Sequence, residues 1–185
     1  MIMTEKIKRE SGVLSIEATL VVSFLAFVIM LIMNIGYVYQ AQNRIYHGMI
    51  QTAKTIGTSS FEVSGVDTTA TQDVLGQIEL LFENLGWKRA SQKDNFKRAI
   101  ENKNAPQAVK IAFANSVSTG ETEADITMKA YGVDGGLHGI DFGKSKFENG
   151  DIKVIAKYKI NLILPVFGVD SVTLKQSTLA KMWGE

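Results

Sequence analysis

The chain has 185 residues, with 20 lysines and arginines against 19 aspartates and glutamates, a net charge of +1 and no cysteine. A near-neutral charge without blocks of like charge gives no basis for binding nucleic acid or an acidic polymer, and the lack of cysteine excludes disulfides and thiolate metal sites. About 130 to 145 residues remain after the N-terminal leader and an apolar segment are subtracted, which is enough for one domain with its own core.

A basic leader and a long apolar segment open the chain. Residues 1–12 contain three basic side chains, and no charged side chain occurs between Glu17 and Arg44. Residues 20–39 are almost entirely apolar, and about 20 such residues at roughly 1.5 Å each cross the ~30 Å hydrocarbon core of a bilayer. An ordinary secretory signal is shorter and ends in a small-residue cleavage site, which has no convincing counterpart after this segment. We therefore predict a retained membrane helix, with its N-terminus in the cytoplasm because the basic residues precede it.

The membrane helix is expected to continue into the head of the protein. The side chains predicted to mark the membrane part are Leu20, Phe24, Phe27, Leu31 and Ile35, with Tyr37 and Tyr39 as an interfacial aromatic belt. Beyond them, apolar residues at helical spacing are Ile45, Met49, Ala53 and Ile56, with Tyr46 and Ile50 on the same side. This pattern predicts one helix over residues 13–56, about 65 Å long, that ends at Gly57. Gly36 and Gly48 are interpreted as ordinary glycines of a membrane helix.

Gly12 and Glu17 enclose the junction between the leader and the apolar segment. This arrangement resembles a prepilin-type signal, which an aspartyl peptidase cuts after the glycine while the hydrophobic segment stays on the mature protein. Residues 12–22, together with the Leu-Pro-Val-Phe-Gly and Lys-Met-Trp-Gly stretches near the C-terminus, are similar to TadE-like (TadE/TadG-like) minor pseudopilins of tight-adherence pili, of the Gram-positive type. The middle of the chain carries no motif of this family.

The resemblance implies a processing site, a charge pair and a set of partners. Cleavage would fall between Gly12 and Val13, and Glu17 would neutralise the new amine of Val13 on a neighbouring subunit. The implied partners are the prepilin peptidase, the membrane bilayer, other pilins and pseudopilins, and the pilus assembly platform. The role would be initiation or capping of an adhesive pilus by an extracellular, single-pass subunit. On its own, an acid in the first turn is also favoured by the helix dipole.

The remaining sequence predicts an α+β head. The domains are then residues 1–12 as leader, 13–57 as transmembrane and projecting helix, and 58–185 as extracytoplasmic head. A loop over residues 61–70 and helices over 71–85, 92–101 and 106–115 are followed by strands. The first strand is indicated by alternation at Ala124, Ile126, Met128 and Ala130, and the strongest by residues 151–164. Residues 165–170 form a turn and 171–181 pair back, which gives an antiparallel sheet of three or more strands, as in pilin-like subunits.

No residue pattern predicts catalysis. His47 and His138 lack the spacing of a catalytic or zinc motif, so we expect neither an enzyme nor a cofactor. Residues 131–151 are rich in glycine and acidic side chains, the composition of some calcium loops, but their spacing matches no EF-hand. We interpret residues 131–150 as a connecting loop at the surface, without a metal.

Two alternative functions stay open. A competence or type II secretion pseudopilin would share the leader and Glu17. A signal-anchored extracellular binding domain would carry the same apolar helix but would not be processed at Gly12.

Overall fold

The computed structural model describes residues 2–63, 90–166 and 168–182 and has an α+β architecture. Its described helices are α1 (Ile2–Val63), α2 (Ala90–Glu101), α3 (Ala105–Val117) and α4 (Glu121–Ala130), followed by a 3-10 turn (Gly136–Gly139). Three strands form an antiparallel sheet in the order β1 (Lys146–Glu148), β2 (Asp151–Val166) and β3 (Val169–Lys181). This confirms the predicted fold class, with its long N-terminal helix and C-terminal antiparallel sheet.

The second half of α1 contributes one side to the hydrophobic core. Its core-facing residues recur every three or four positions and are at most 2% exposed: Ala41, Ile45, Met49, Ala53 and Ile56. The predicted apolar side is therefore confirmed, except that Tyr46 is 42% exposed. The core-facing stripe is narrower than the sequence pattern indicated, because the head covers only one side of the helix.

The prediction that α1 ends near Gly57 is wrong. The helix continues to Val63, and a Cβ atom at Gly57 would lie 2.7 Å from the carbonyl oxygen of Lys181. The glycine therefore allows the end of β3 to approach the helix backbone. Two residues later, Ser59 donates its hydroxyl to the Thr55 carbonyl at 2.7 Å, within the continuing helix.

Gly48 is a packing point between α1 and α3, contrary to its interpretation as an ordinary membrane-helix glycine. A Cβ atom there would lie 2.8 Å from Cε2 of Phe113 and 2.9 Å from Cγ2 of Val117. The Phe113 ring in turn packs on Phe142, with the ring centroids 5.2 Å apart. At Gly36, by contrast, a Cβ atom would meet nothing within 4 Å, which agrees with the interpretation made for that residue.

Helices α2 and α3 confirm the two helices predicted at residues 92–101 and 106–115. Asn104 caps α3, because its side-chain oxygen accepts the Gln107 N–H at 3.2 Å. Pro106 lies in the first turn, where a missing N–H costs nothing. The helix predicted over residues 71–85 lies outside the described residues, as do positions 64–70 of the predicted loop.

Strand β2 forms the inner wall of the core. Its alternate residues Ile152, Val154, Ala156, Tyr158 and Ile160 are buried, as the sequence predicted. The Tyr158 hydroxyl donates to Oε1 of Gln176 on β3 at 2.8 Å. Burial raises the pKa of Tyr158 far above its usual value, so the hydroxyl stays protonated as the core requires.

The strand predicted around residues 123–130 is helix α4, so that prediction is wrong. Ala124 and Met128 are buried, whereas Ile126 is 57% exposed. A spacing of four residues satisfies one face of a helix, and Lys129 adds an ion pair to Asp125, one turn earlier, at 2.8 Å. The alternation of apolar and polar residues fitted a strand equally well, but only two of its four apolar positions reach the core.

The segment 131–150 is also more buried than a surface loop. Its apolar side chains Val133, Leu137, Ile140 and Phe142 belong to the core, and it supplies strand β1. Asp125 holds it in place by accepting the Leu137 N–H at 2.9 Å. The Lys129 ammonium and this N–H keep the pKa of Asp125 below its usual value. The segment is therefore a packed part of the head.

A substitution of Gly48 tests the packing of α1 on α3. We expect Gly48→Ala to destabilise the protein by about 1–2 kcal/mol, because the strain of overpacking Phe113 and Val117 exceeds the gain in helix propensity. Gly36→Ala is the matched control and should change stability by less than about 1 kcal/mol, in either direction. Thermal unfolding of both full-length variants in the same detergent measures the difference. Equal unfolding midpoints would contradict the packing role of Gly48.

Candidate functional site

The first half of α1 is apolar and is not covered by the head. The helix from Ile16 to Ser59 contains an 18-residue window of mean hydropathy 2.5, of which 0% is buried. Within the described residues it is the one helix long and apolar enough to cross a membrane. This half fits a single-pass membrane anchor, because its exposed aliphatic and aromatic side chains would be costly in water.

The residues predicted for the membrane helix form one continuous stripe. Residues three or four positions apart lie on the same face of a helix. One face of α1 therefore carries Glu17 and, after it, Leu20, Phe24, Phe27, Leu31 and Ile35. Glu17, Leu20, Phe24 and Ile35 are exposed, and Phe27 and Leu31 are half-buried. The stripe therefore remains open to a neighbour outside this chain, with a carboxylate at its N-terminal end.

The predicted processing site lies within the backbone of α1. Gly12 and Val13 both have helical backbone, and the helix runs without a break from the leader into the apolar segment. No structural boundary separates residues 2–12 from the rest of α1. The leader therefore stays a prediction from the sequence pattern, without a matching boundary in the helix.

Asn34 joins the apolar helix to the end of strand β2. It is almost fully buried, its Nδ2 donates to the Leu164 carbonyl at 2.9 Å, and its Oδ1 accepts the Leu164 N–H at 3.3 Å. The regular β2–β3 pairing shifts register between Asn161 and Val166, so Leu164 lies outside the continuous ladder. The asparagine side chain takes the place of a strand partner. A buried amide would be costly without these bonds.

Two further polar contacts hold the head against α1. The Arg44 Nη2 donates to the Val117 carbonyl at 2.9 Å, where a cation compensates the negative end of α3. The Tyr37 hydroxyl donates to the Ala130 carbonyl at 3.3 Å, at the end of α4. Tyr37, predicted as part of an aromatic belt, is half-buried by this contact, whereas Tyr39 is exposed. The sequence marked Arg44 only as the first charge beyond the apolar segment.

In the loop considered for calcium, two of the carboxylates pair with different lysines. Asp134 lies 3.8 Å from Lys159, and Glu148 lies 2.6 Å from Lys146. The hydrogen bond from Lys146 lowers the pKa of Glu148. In the part of the chain that the structure describes, no three His, Cys, Asp or Glu side chains come close enough to hold a metal ion.

The two histidines lie on different elements. His47 is exposed on α1, and Nδ1 of His138 lies 3.3 Å from Nζ of Lys110, next to the 3.0 Å ion pair between Lys110 and Glu121. The structure does not bring the two rings into one cluster. Both rings lie at the surface of the described chain.

The outer face of the sheet collects lysines that are scattered in the sequence. Lys157 on β2 lies directly opposite Lys175 on β3, and the same face carries Lys153, Lys159 and Lys181. The three lysines of β2 share one face because they occupy alternate positions of the strand. The two from β3 join them only through the strand register, which the sequence did not specify.

A substitution of Asn34 tests the junction between α1 and β2. We expect Asn34→Leu to destabilise the protein by about 1–3 kcal/mol, because it leaves the N–H and carbonyl of Leu164 without partners. Met33→Leu, at the exposed neighbouring position, is the matched control and should leave the midpoint unchanged. Thermal unfolding of the full chain in detergent measures both. An Asn34→Leu protein as stable as the control would show that the two hydrogen bonds contribute nothing.

The site as a whole is an exposed apolar helix with a head fixed to its far end. Asn34, Tyr37 and Arg44 bond to three different elements of the head, within three turns of the helix. The arrangement fits a membrane anchor that holds an α+β domain at a defined height. Comparison of the chain with protein-family models, with curated proteins and with solved structures found no match.

Proposed function

We propose that this protein is a minor pseudopilin of the TadE-like type, a non-enzymatic subunit that initiates or caps a tight-adherence pilus. In this proposal the N-terminus is cytoplasmic, the head is extracellular, and a prepilin peptidase cuts between Gly12 and Val13. The observation that carries the proposal is the stripe from Glu17 to Ile35, in which Glu17, Leu20, Phe24 and Ile35 are exposed. A subunit that assembles through its N-terminal helix needs such a surface.

The position of Glu17 supports an electrostatic role in assembly. Val13 and Glu17 are four residues apart, which places them on one face of the helix and about 6 Å apart along its axis. If a neighbouring helix is displaced by that distance, its Val13 amine reaches the level of this carboxylate. Both charges are costly in a low-dielectric membrane, and their pairing lowers that cost. The pair also selects one axial register between the two helices.

The apolar part of the stripe supports helix packing with other subunits. Phe24, Phe27 and Leu31 supply large side chains that can interdigitate with a second apolar helix. Phe24 is exposed and Phe27 and Leu31 are half-buried, so each keeps surface that a neighbouring helix can contact. The partners in the proposal are other pilins and pseudopilins in the membrane and the pilus assembly platform.

Two alternatives predict different outcomes. A competence or type II secretion pseudopilin would be processed in the same way, and only the pilins that co-purify with it would distinguish it. A signal-anchored extracellular domain would keep residues 1–12. The unbroken helix through Gly12 and Val13 is compatible with that second alternative.

The intact mass of the protein tests the processing step. In cells that contain a cognate prepilin peptidase, we expect a mature form that begins at Val13, and in cells without the peptidase we expect the full chain. Gly12→Leu should block the cut in the first strain, because the peptidase requires a small residue there. A chain that keeps residues 1–12 in every strain would instead support the signal-anchored domain.

Removal of the Glu17 carboxylate tests the assembly role. Loss of one partner of a buried ion pair costs about 3–5 kcal/mol, so Glu17→Ala should reduce piliation more than about tenfold. The level of the variant in the membrane and its thermal midpoint should not change, because Glu17 is exposed and has no hydrogen bond or ion pair with the described residues of the head.

The matched control for Glu17→Ala is Glu10→Ala. Glu10 lies in the leader, so the mature protein made from this variant is identical to the wild type. Pili are counted by electron microscopy in both strains, with the protein level checked by immunoblot. Normal piliation by the Glu17→Ala strain would contradict the charge-pairing role.

A further inference from the structure

The β2–β3 hairpin ends in an apolar tip. Residues 162–169 contain no charged side chain, and Asp170 and Lys159 are the nearest charges along the two strands. Ile163 is 54% exposed and Val169 is 50% exposed. Hairpin ends in water usually carry polar turn residues, so an exposed aliphatic tip indicates a non-aqueous neighbour.

The tip lies at the depth of the membrane boundary. If the hydrocarbon core begins after Glu17, about 30 Å at 1.5 Å per residue reaches residue 38 or so, which leaves Asn34 about 6 Å inside. The two hydrogen bonds to Leu164 fix the tip at the level of Asn34. Tyr37 and Tyr39 lie one turn farther toward the head, where interfacial tyrosines are expected.

The backbone of the tip is suited to a low-dielectric environment. A peptide group that enters hydrocarbon needs a hydrogen-bond partner within the protein. Leu164 obtains partners for both its N–H and its carbonyl from Asn34, although it lies in the irregular part of the strand pair. Pro165 has no N–H that would need one. The Asn34 hydrogen bonds and Pro165 therefore lower the cost of placing this backbone in hydrocarbon, and they lie in the same tip as the exposed apolar side chains.

An apolar groove joins the tip to the membrane helix. It has a volume of about 350 Å³, and its walls include Leu31, Ile35 and Val38 of α1 and Leu162, Val166 and Val172 of the hairpin. Asn34, whose amide is bonded to Leu164, and Tyr39 and Gln42, farther toward the head, complete the lining. The exposed apolar surface of the anchor continues from Leu31 and Ile35 onto the hairpin. A protein partner would more typically be matched by polar groups around an apolar centre, and residues 162–169 offer none in their side chains.

We propose that the hairpin tip, in its described residues 162–166 and 168–169, enters the bilayer on the head's side and gives the protein a second membrane contact beside α1. Lipid acyl chains fill the groove between the tip and the helix. The contact orients the head, because a helix alone leaves the head free to tilt relative to the membrane plane. This proposal rests on α1 crossing the membrane and is independent of a role in a pilus.

Site-directed fluorescence tests the depth of the tip. The chain has no cysteine, so Ile163→Cys and Val169→Cys each provide a single labelling site for an environment-sensitive dye. Ser177→Cys, at an exposed position farther along β3, is the matched control. The full-length variants are reconstituted at low protein density into phosphatidylcholine vesicles, with and without brominated acyl chains. Far-UV and near-UV circular dichroism confirm that each variant is folded.

We expect brominated lipid to quench dye at the tip and aqueous iodide to quench dye at the control position more strongly. Dye at Ile163→Cys and Val169→Cys should be quenched by brominated lipid and should be at least about threefold less accessible to aqueous iodide than dye at Ser177→Cys. Equal quenching by iodide at all three positions would overturn the proposal. Protection from iodide that disappears on dilution with lipid, without quenching by brominated chains, would also overturn it and would identify the tip as a protein contact.

Discussion

One unbroken helix has to satisfy two different environments, and the other features of the structure follow from this constraint. From Ala18 to about Met33, α1 presents mostly apolar side chains in all directions, which suits lipid. From Asn34 onward, one side must pack against the head while the other meets solvent. The change takes place within a single helical turn and without a kink. The polar side chains at this change, Asn34 and then Tyr37, bond to the backbone of the head and so remain satisfied where water is scarce.

The head fits closely on the helix because the side of α1 that contacts it carries small residues. Gly48 receives the Phe113 ring, Gly57 receives the end of β3, and Ala41 and Ala53 leave room on the same side. Large residues at these positions would push α3 and the sheet away from the helix. The buried hydroxyls of Thr52 and Ser59 bond within α1, so they add polar groups without requiring partners from the head.

The features that repeat locally were predictable from the sequence, and those that depend on distant partners were not. The apolar run of α1, the cap and proline of α3, and the alternation of β2 are local patterns, and the structure has these elements. The apolar residues of 123–130 fit both a strand, with a repeat of two, and a helix, with a repeat of about four. Only packing against the core selects the helix, in which Ala124 and Met128 are buried. The partner of Asn34 lies 130 positions away, so nothing near it in the sequence indicates Leu164. The prepilin-type processing site and the pilus role stay predictions, because they depend on partners outside this chain.

The unbroken course of α1 has a mechanical consequence. Among residues 2–63 there is no turn or break between the apolar half and the half that carries the head. A displacement of the anchor by one residue along its axis therefore moves the head by about 1.5 Å and, if the anchor follows its own helical screw, rotates it by about 100°. The Asn34 hydrogen bonds to Leu164 join the helix to the hairpin, so they are among the contacts that would resist shear between the two.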